Sequence, residues 1–135
     1  MIHLLAMGIA LNCFEQASKE FNKLGTTPAV SATDRVVKHF VKCGVAAERE
    51  QNEPVYFASA VGYVYSEDLL GLAYLRSRKL KFACGQLTNA KNIGEEIVEP
   101  MIENYAHDDP SSKPILDSLG KVNNDFAKYC EATPA

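Results

Sequence analysis

Val55-Tyr56-Phe57-Ala58-Ser59-Ala60-Val61-Gly62-Tyr63-Val64-Tyr65 is the stretch on which the fold turns, because it runs for eleven residues without a charge. It opens a block from Pro54 to Gly85 that also holds Leu69, Leu70, Leu72, Leu75, Leu80 and Phe82, and the block reads as core. Ala58, Ser59 and Gly62 are small and recur three to four residues apart, which lets a second helix approach closely on that side. The block reads as two helices joined near Ser66. The Ser66 hydroxyl can accept hydrogen bonds from the free amides of a new helix, and Glu67 and Asp68 stand where the positive end of its dipole favours anions. Leu80-Lys81-Phe82-Ala83-Cys84 alternates like a strand. With no second strand to pair with, it reads as a helix end or an extended loop.

Upstream, Ile2, Leu5, Ile9, Cys13, Ala17, Phe21 and Leu24 recur at three- and four-residue steps, so residues 2–24 read as an amphipathic helix ending at Gly25. Gln16, Lys19, Glu20 and Lys23 form its outer face. Ser31-Ala32-Thr33-Asp34 has the form of a capping box. It opens a helix that buries Val36, Val37, Phe40, Val41 and Val45, with Gly44 weakening its middle. Glu48 to Glu53 reads as a solvated loop.

Downstream, Thr88 or Asn89 caps a fifth helix with Ile93, Ile97, Met101 and Tyr105 inward, flanked by Val98 and Ile102. Pro100 removes a backbone donor and should kink or split it. A polar turn over 107–112 leads to a last helix from Pro114 to Cys130, with Ile115, Leu119, Val122, Phe126 and Tyr129 inward and a frayed tail over 131–135. The expected fold class is all-α, a single domain over 1–135 built as a compact bundle of five or six helices.

The 135 residues are 47% hydrophobic and 23% charged, the composition of an ordinary globular chain rather than a disordered one. A net charge of −3 leaves no basic footprint for nucleic acid, since the cationic cluster Arg76, Arg78, Lys79 and Lys81 is matched by a larger acidic one downstream. Met1 to Phe14 carries no Asp, Glu, Lys or Arg, yet it is read as having neither a basic leader nor a small-x-small cleavage site. Ala10-Leu11-Asn12-Cys13 places Asn12 where a lipoprotein box needs a small residue. The run is also too short for a membrane span, and it reads as a core-facing first helix. Cys13, Cys43, Cys84 and Cys130 include no C-x-x-C pair. They are either four buried thiols of a cytosolic protein or up to two long-range disulfides of an exported one.

His3, His39 and His107 are scattered, and none is read as having a neighbour at metal-ligand spacing. No nucleophile elbow, phosphate-binding glycine loop or dinucleotide fingerprint is present. No catalytic, metal or cofactor-binding residue is therefore assigned, and the chain is not expected to be an enzyme. A Cys–His pair adjacent only in space stays open.

Two surfaces are candidates for partner contact. Glu96, Glu99 and Glu103 follow helical steps and would form one acidic ridge, facing a basic partner, solvent or the cationic cluster. The polar turn carrying His107, Asp108, Asp109, Ser111 and Ser112 is the other. In an alternative reading Tyr56, Phe57, Tyr63, Tyr65 and Tyr74 line an apolar pocket for a small ligand. A cytosolic protein-interaction module is a further alternative.

Phe40-Val41-Lys42-Cys43, then Gly62-Tyr63-Val64, Cys84 with Gln86-Leu87, Ile97-Val98 with Met101-Ile102, and Leu119, Phe126 and Cys130 together resemble the small helical immunity proteins that neutralise type VI secretion peptidoglycan amidases. The resemblance covers about the last two-thirds of the chain. It implies an exported, periplasmic, disulfide-containing protein without catalysis of its own, which blocks the active-site cleft of an amidase. It also implies a Cys84–Cys130 bridge. Its implied partner is a secreted amidase effector; separately, a homodimer with a second copy of the chain is expected. No cofactor, nucleic acid or membrane span is expected.

Overall fold

One uninterrupted helix, α3 (Glu53–Arg76), takes the place of the two expected around Ser66. Ser66 is buried, and its hydroxyl donates back to the carbonyl oxygens of Gly62 (2.8 Å) and Tyr63 (3.1 Å) instead of capping a new helix. A serine satisfied within its own helix need not break it. α3 is apolar around most of its circumference, the pattern of a helix packed on more than one side. The computed structural model describes residues 2–105 and 108–131, with side chains over 8–104 and 108–131.

Before α3 come α1 (Ile2–Asn22) and α2 (Val30–Arg49). After it come α4 (Leu80–Ile93), a π-helical turn over Gly94–Val98, α5 (Glu99–Tyr105) and α6 (Ser112–Phe126), which ends in a second π-helical turn over Ala127–Glu131. The described residues form an all-α bundle, as the sequence predicts. α1 and α2 pack on one side of α3 around Ala17, Val36, Phe40 and Cys43. α4, the first π turn and α6 pack on the other, around Val64, Ala90, Val98, Ile102, Leu119 and Val122.

Several local expectations shift. In α1, Ile9 is 62% exposed and Ala10 faces inward, against Ala47 and Val55; the side chains of Ile2, Leu5 and Tyr105 lie outside those described. α2 starts at Val30 rather than at a Ser31 cap. Thr33 is buried and donates to the carbonyl of Ala29 (2.7 Å), and Asp34 pairs with Lys38 (2.9 Å). α2 passes through Gly44 unbroken and presents Cys43 and Ala47 to the core, leaving Val41 and Val45 exposed. The loop before α3 shrinks to Glu50–Asn52, where the Asn52 side chain accepts from the Val55 amide (3.2 Å) and caps α3.

Leu80–Cys84 is the first turn of α4, which Thr88 continues rather than caps: its hydroxyl donates to the Cys84 carbonyl (2.6 Å). The interruption expected of Pro100 takes the form of the π turn just ahead of it. One wider turn lets a helix pass a residue that cannot donate to the preceding turn.

The small face of α3 is used as predicted. A methyl group on Gly62 would stand 2.4–2.7 Å from the ring of Phe40, so only glycine lets α2 lie this close. Two disulfides tie the outer segments inward, Cys13–Cys43 between α1 and α2 and Cys84–Cys130 between α4 and the end of the chain's last helical segment. The second is the bridge the resemblance implies. Among the described residues no helix is long and apolar enough to cross a membrane.

Candidate functional site

Val41 and Val45 stay exposed because α2, α3 and the π turn do not close over them. Between these elements lies an open hollow of about 310 Å³, floored by Phe40, Ser59, Ala60, Tyr63, Ile93 and Ile97. Two further hollows adjoin it, of about 530 Å³ along the α2–α3 turn and about 360 Å³ against Pro100 and Met101. Tyr56 lines all three, so the hollows meet at that residue and are taken together as one groove. Its rim is acidic: Glu48, Glu53 and Glu96 are all exposed along it.

Inside the groove, Ser59 is fully buried and its hydroxyl finds no hydrogen-bond partner among the described residues. Burial pushes the Tyr63 phenol up to about 12, helped by the nearby Glu67, so it remains a neutral donor at any ordinary pH.

The residues nominated from the sequence divide. Glu96 sits on the groove. Glu99, half-buried, lines a separate small hollow with Lys91, Leu119 and Asn123, and Glu103 is exposed. The expected single ridge is broken because the π turn inserts an extra residue of rotation between Glu96 and the α-helical Glu99. No ion pair joins these three to the Arg76 cluster among the described residues; Arg76 instead donates to the Pro28 carbonyl (2.7 Å).

In the polar turn, Asp109 accepts from both the amide and the hydroxyl of Ser111 (2.9 Å each), which holds its carboxyl below the usual range. Asp108, Asp109 and Ser111 are exposed, whereas Ser112 is buried at the start of α6 and does not belong to the contact surface. His107 lies outside the described residues. The five aromatics do not share one pocket. Tyr56 and Tyr63 face the groove, Phe57 packs into the α4–α6 core, and Tyr74 stacks on Phe82 with ring centres 5.6 Å apart.

Two arrangements escape the sequence reading. Glu67 and Asp68 are 3% and 5% exposed in mid-helix rather than at a helix start. Gln86, its amide nitrogen turned toward Glu67, donates to both carboxylate oxygens (2.7 and 2.9 Å), and Lys121 bridges Asp68 (2.9 Å) and Asp125 (2.8 Å). Burial pushes the Glu67 carboxyl up to about 7. It also raises that of Asp68, with Asp125 adding to the rise and Lys121 opposing it.

A folded-state value above the ordinary one means that the native chain holds a proton the unfolded chain has released. Stability is therefore highest below about pH 4.5 as far as Glu67 is concerned, falls as pH rises from there to about 7, and levels off above it. Between pH 5.5 and 8.5 the expected loss is about 2 kcal/mol. Thermal unfolding at pH 5.5 and 8.5 should show it, and Glu67→Gln should remove most of the difference.

The second arrangement joins Cys13, Cys43 and His39, whose ligand-type atoms lie within 4.8 Å of one another; His39 Nδ1 also pairs with Glu20. The expectation that no histidine has a partner at ligand spacing misses His39 and Cys43, which stand four residues apart on one face of α2. Cys13 arrives from α1, which spacing alone does not reveal. Compared with known protein families, curated proteins and solved structures, the chain matches none of them.

Proposed function

We propose that this chain is a non-enzymatic, protein-binding inhibitor of the immunity type, acting in an oxidising compartment such as the periplasm. Its groove receives a basic, amphipathic segment of a peptidoglycan amidase and thereby covers the enzyme's active-site cleft. The observation that carries this reading is the groove itself: apolar floor, aromatic centre at Tyr56, and a rim of Glu48, Glu53 and Glu96 with which Lys or Arg of a partner would be complementary. The two disulfides support the compartment.

The test is inhibition of a panel of purified type VI amidases on peptidoglycan, with and without the chain. One enzyme is expected to be silenced at a one-to-one ratio. Tyr56→Ala, at the groove's centre, should weaken that binding by about 2 kcal/mol, roughly thirtyfold. Glu53→Lys with Glu96→Lys should mainly slow association and reduce its salt dependence. Activity of every amidase unchanged at a tenfold excess of the chain would remove this reading. The unpartnered Ser59 hydroxyl favours a second one, a small apolar ligand with one polar group. Native mass spectrometry would reveal it as retained mass lost in Tyr56→Ala.

A further inference from the structure

Cys43 is fully buried on α2, Cys13 is half-buried on α1, and His39 lies one turn before Cys43 with a side chain 21% exposed. Their sulfur and nitrogen atoms lie within 4.8 Å of one another, and the imidazole is oriented by Glu20. Two thiols and an imidazole are a donor set suited to a soft or borderline divalent ion. A carboxylate on the ring of a ligating histidine is the usual outer support of such a site.

We propose that Cys13, Cys43 and His39 form a zinc site when the Cys13–Cys43 disulfide is reduced, so that this corner of the bundle is closed either by a sulfur–sulfur bond or by a metal ion. This does not rest on the binding groove or on the immunity reading.

The exchange balances as follows. A dithiol reductant gives two electrons and two protons to the disulfide, leaving Cys13 and Cys43 as thiols and the reductant as its own disulfide. Zinc then binds both sulfurs as thiolates, and two protons leave to solvent. His39 supplies the third ligand, and water fills the fourth, solvent-facing position. Either closure holds α1 against α2. Cys84 and Cys130 have no histidine in an equivalent group among the described residues.

The test measures zinc binding by competition with a chromogenic chelator, on the full chain reduced with a phosphine and freed of reductant. One ion per chain is expected. His39→Gln should weaken binding by more than a hundredfold, and Glu20→Gln by about 10–100-fold. The oxidised chain should bind none. Cobalt in place of zinc should give thiolate charge-transfer bands that weaken with Cys13→Ser and disappear when Cys43→Ser is added.

Reduction exposes four thiols, and an unfolded chain would bind metal through them without His39. Affinity that His39→Gln leaves unchanged therefore overturns the proposal, whether or not the reduced chain keeps its helical circular dichroism. Failure of the reduced wild-type chain to take up zinc overturns it equally. A Cys84→Ser, Cys130→Ser variant, carrying only the proposed thiols, should bind as the wild type does.

Discussion

Phe40→Ala is expected to destabilise the chain by about 3–5 kcal/mol, the range for truncating a buried aromatic. Phe40 is almost wholly buried, meets Phe14 and Phe21 at centroid distances of 6.1 and 6.3 Å, and lies against the bare backbone of Gly62. It thus joins three helices at one point. The converse change tests the same contact. Gly62→Ala gains about 1 kcal/mol of helix propensity, but its methyl group would stand 2.4–2.7 Å from the ring, and relieving that overlap costs about 1–3 kcal/mol. Phe40→Leu should relieve much of the overlap. In a double-mutant cycle followed by urea unfolding, the pair should show coupling of about 0.5–3 kcal/mol. Strict additivity would mean that α2 and α3 do not meet at these two residues.

Removal of the Cys84–Cys130 bridge, by alanine at both positions, is expected to cost about 4 kcal/mol. Its ends are 46 residues apart, and the entropy lost by the unfolded chain on closing such a loop sets that figure. The Cys13–Cys43 loop, with a separation of 30, gives about 3.6 kcal/mol. Since a domain of this size has about 5–15 kcal/mol in all, loss of both bridges should leave little folded chain at 37 °C. Guanidinium unfolding of each alanine pair measures the individual costs. Intact mass after alkylation, with and without reduction, should show no free thiol before reduction and four after it. Four alkylated cysteines in the unreduced chain would remove the basis of the prediction.

The helical class was legible because most apolar positions recur at helical steps, and the α2–α3 approach was legible in Ala58, Ser59 and Gly62. The misreadings share a cause: each concerned a residue with two satisfactory local uses. Ser66 can cap a helix or bond back to Gly62, and only its burial in the bundle selects the second. Thr88, read as a cap, offers the same choice and resolves it the same way. Val41 and Val45 fit an inward stripe as well as Cys43 and Ala47 do; which pair is covered depends on where α3 crosses.

The candidate site was less legible than the fold. The groove arises where three elements fail to close, which no single stretch encodes. The Cys13 and His39 juxtaposition needs α1 and α2 to be placed first. Glu96 is legible as an exposed acidic residue, but the ridge to which its spacing assigns it is divided by the π turn.

α3 spans 24 residues, about 36 Å of helix, and contributes side chains to the packing on both of its sides. Neither half of the bundle has a core of its own that excludes it. Were the chain two helices meeting at Ser66, each half could open around its own short segment while the other stayed intact. With one continuous rod, fraying that reaches the middle of α3 strips a wall from both clusters together. The two halves therefore share one wall, and a change that loosens the middle of α3 weakens the packing of both clusters at once.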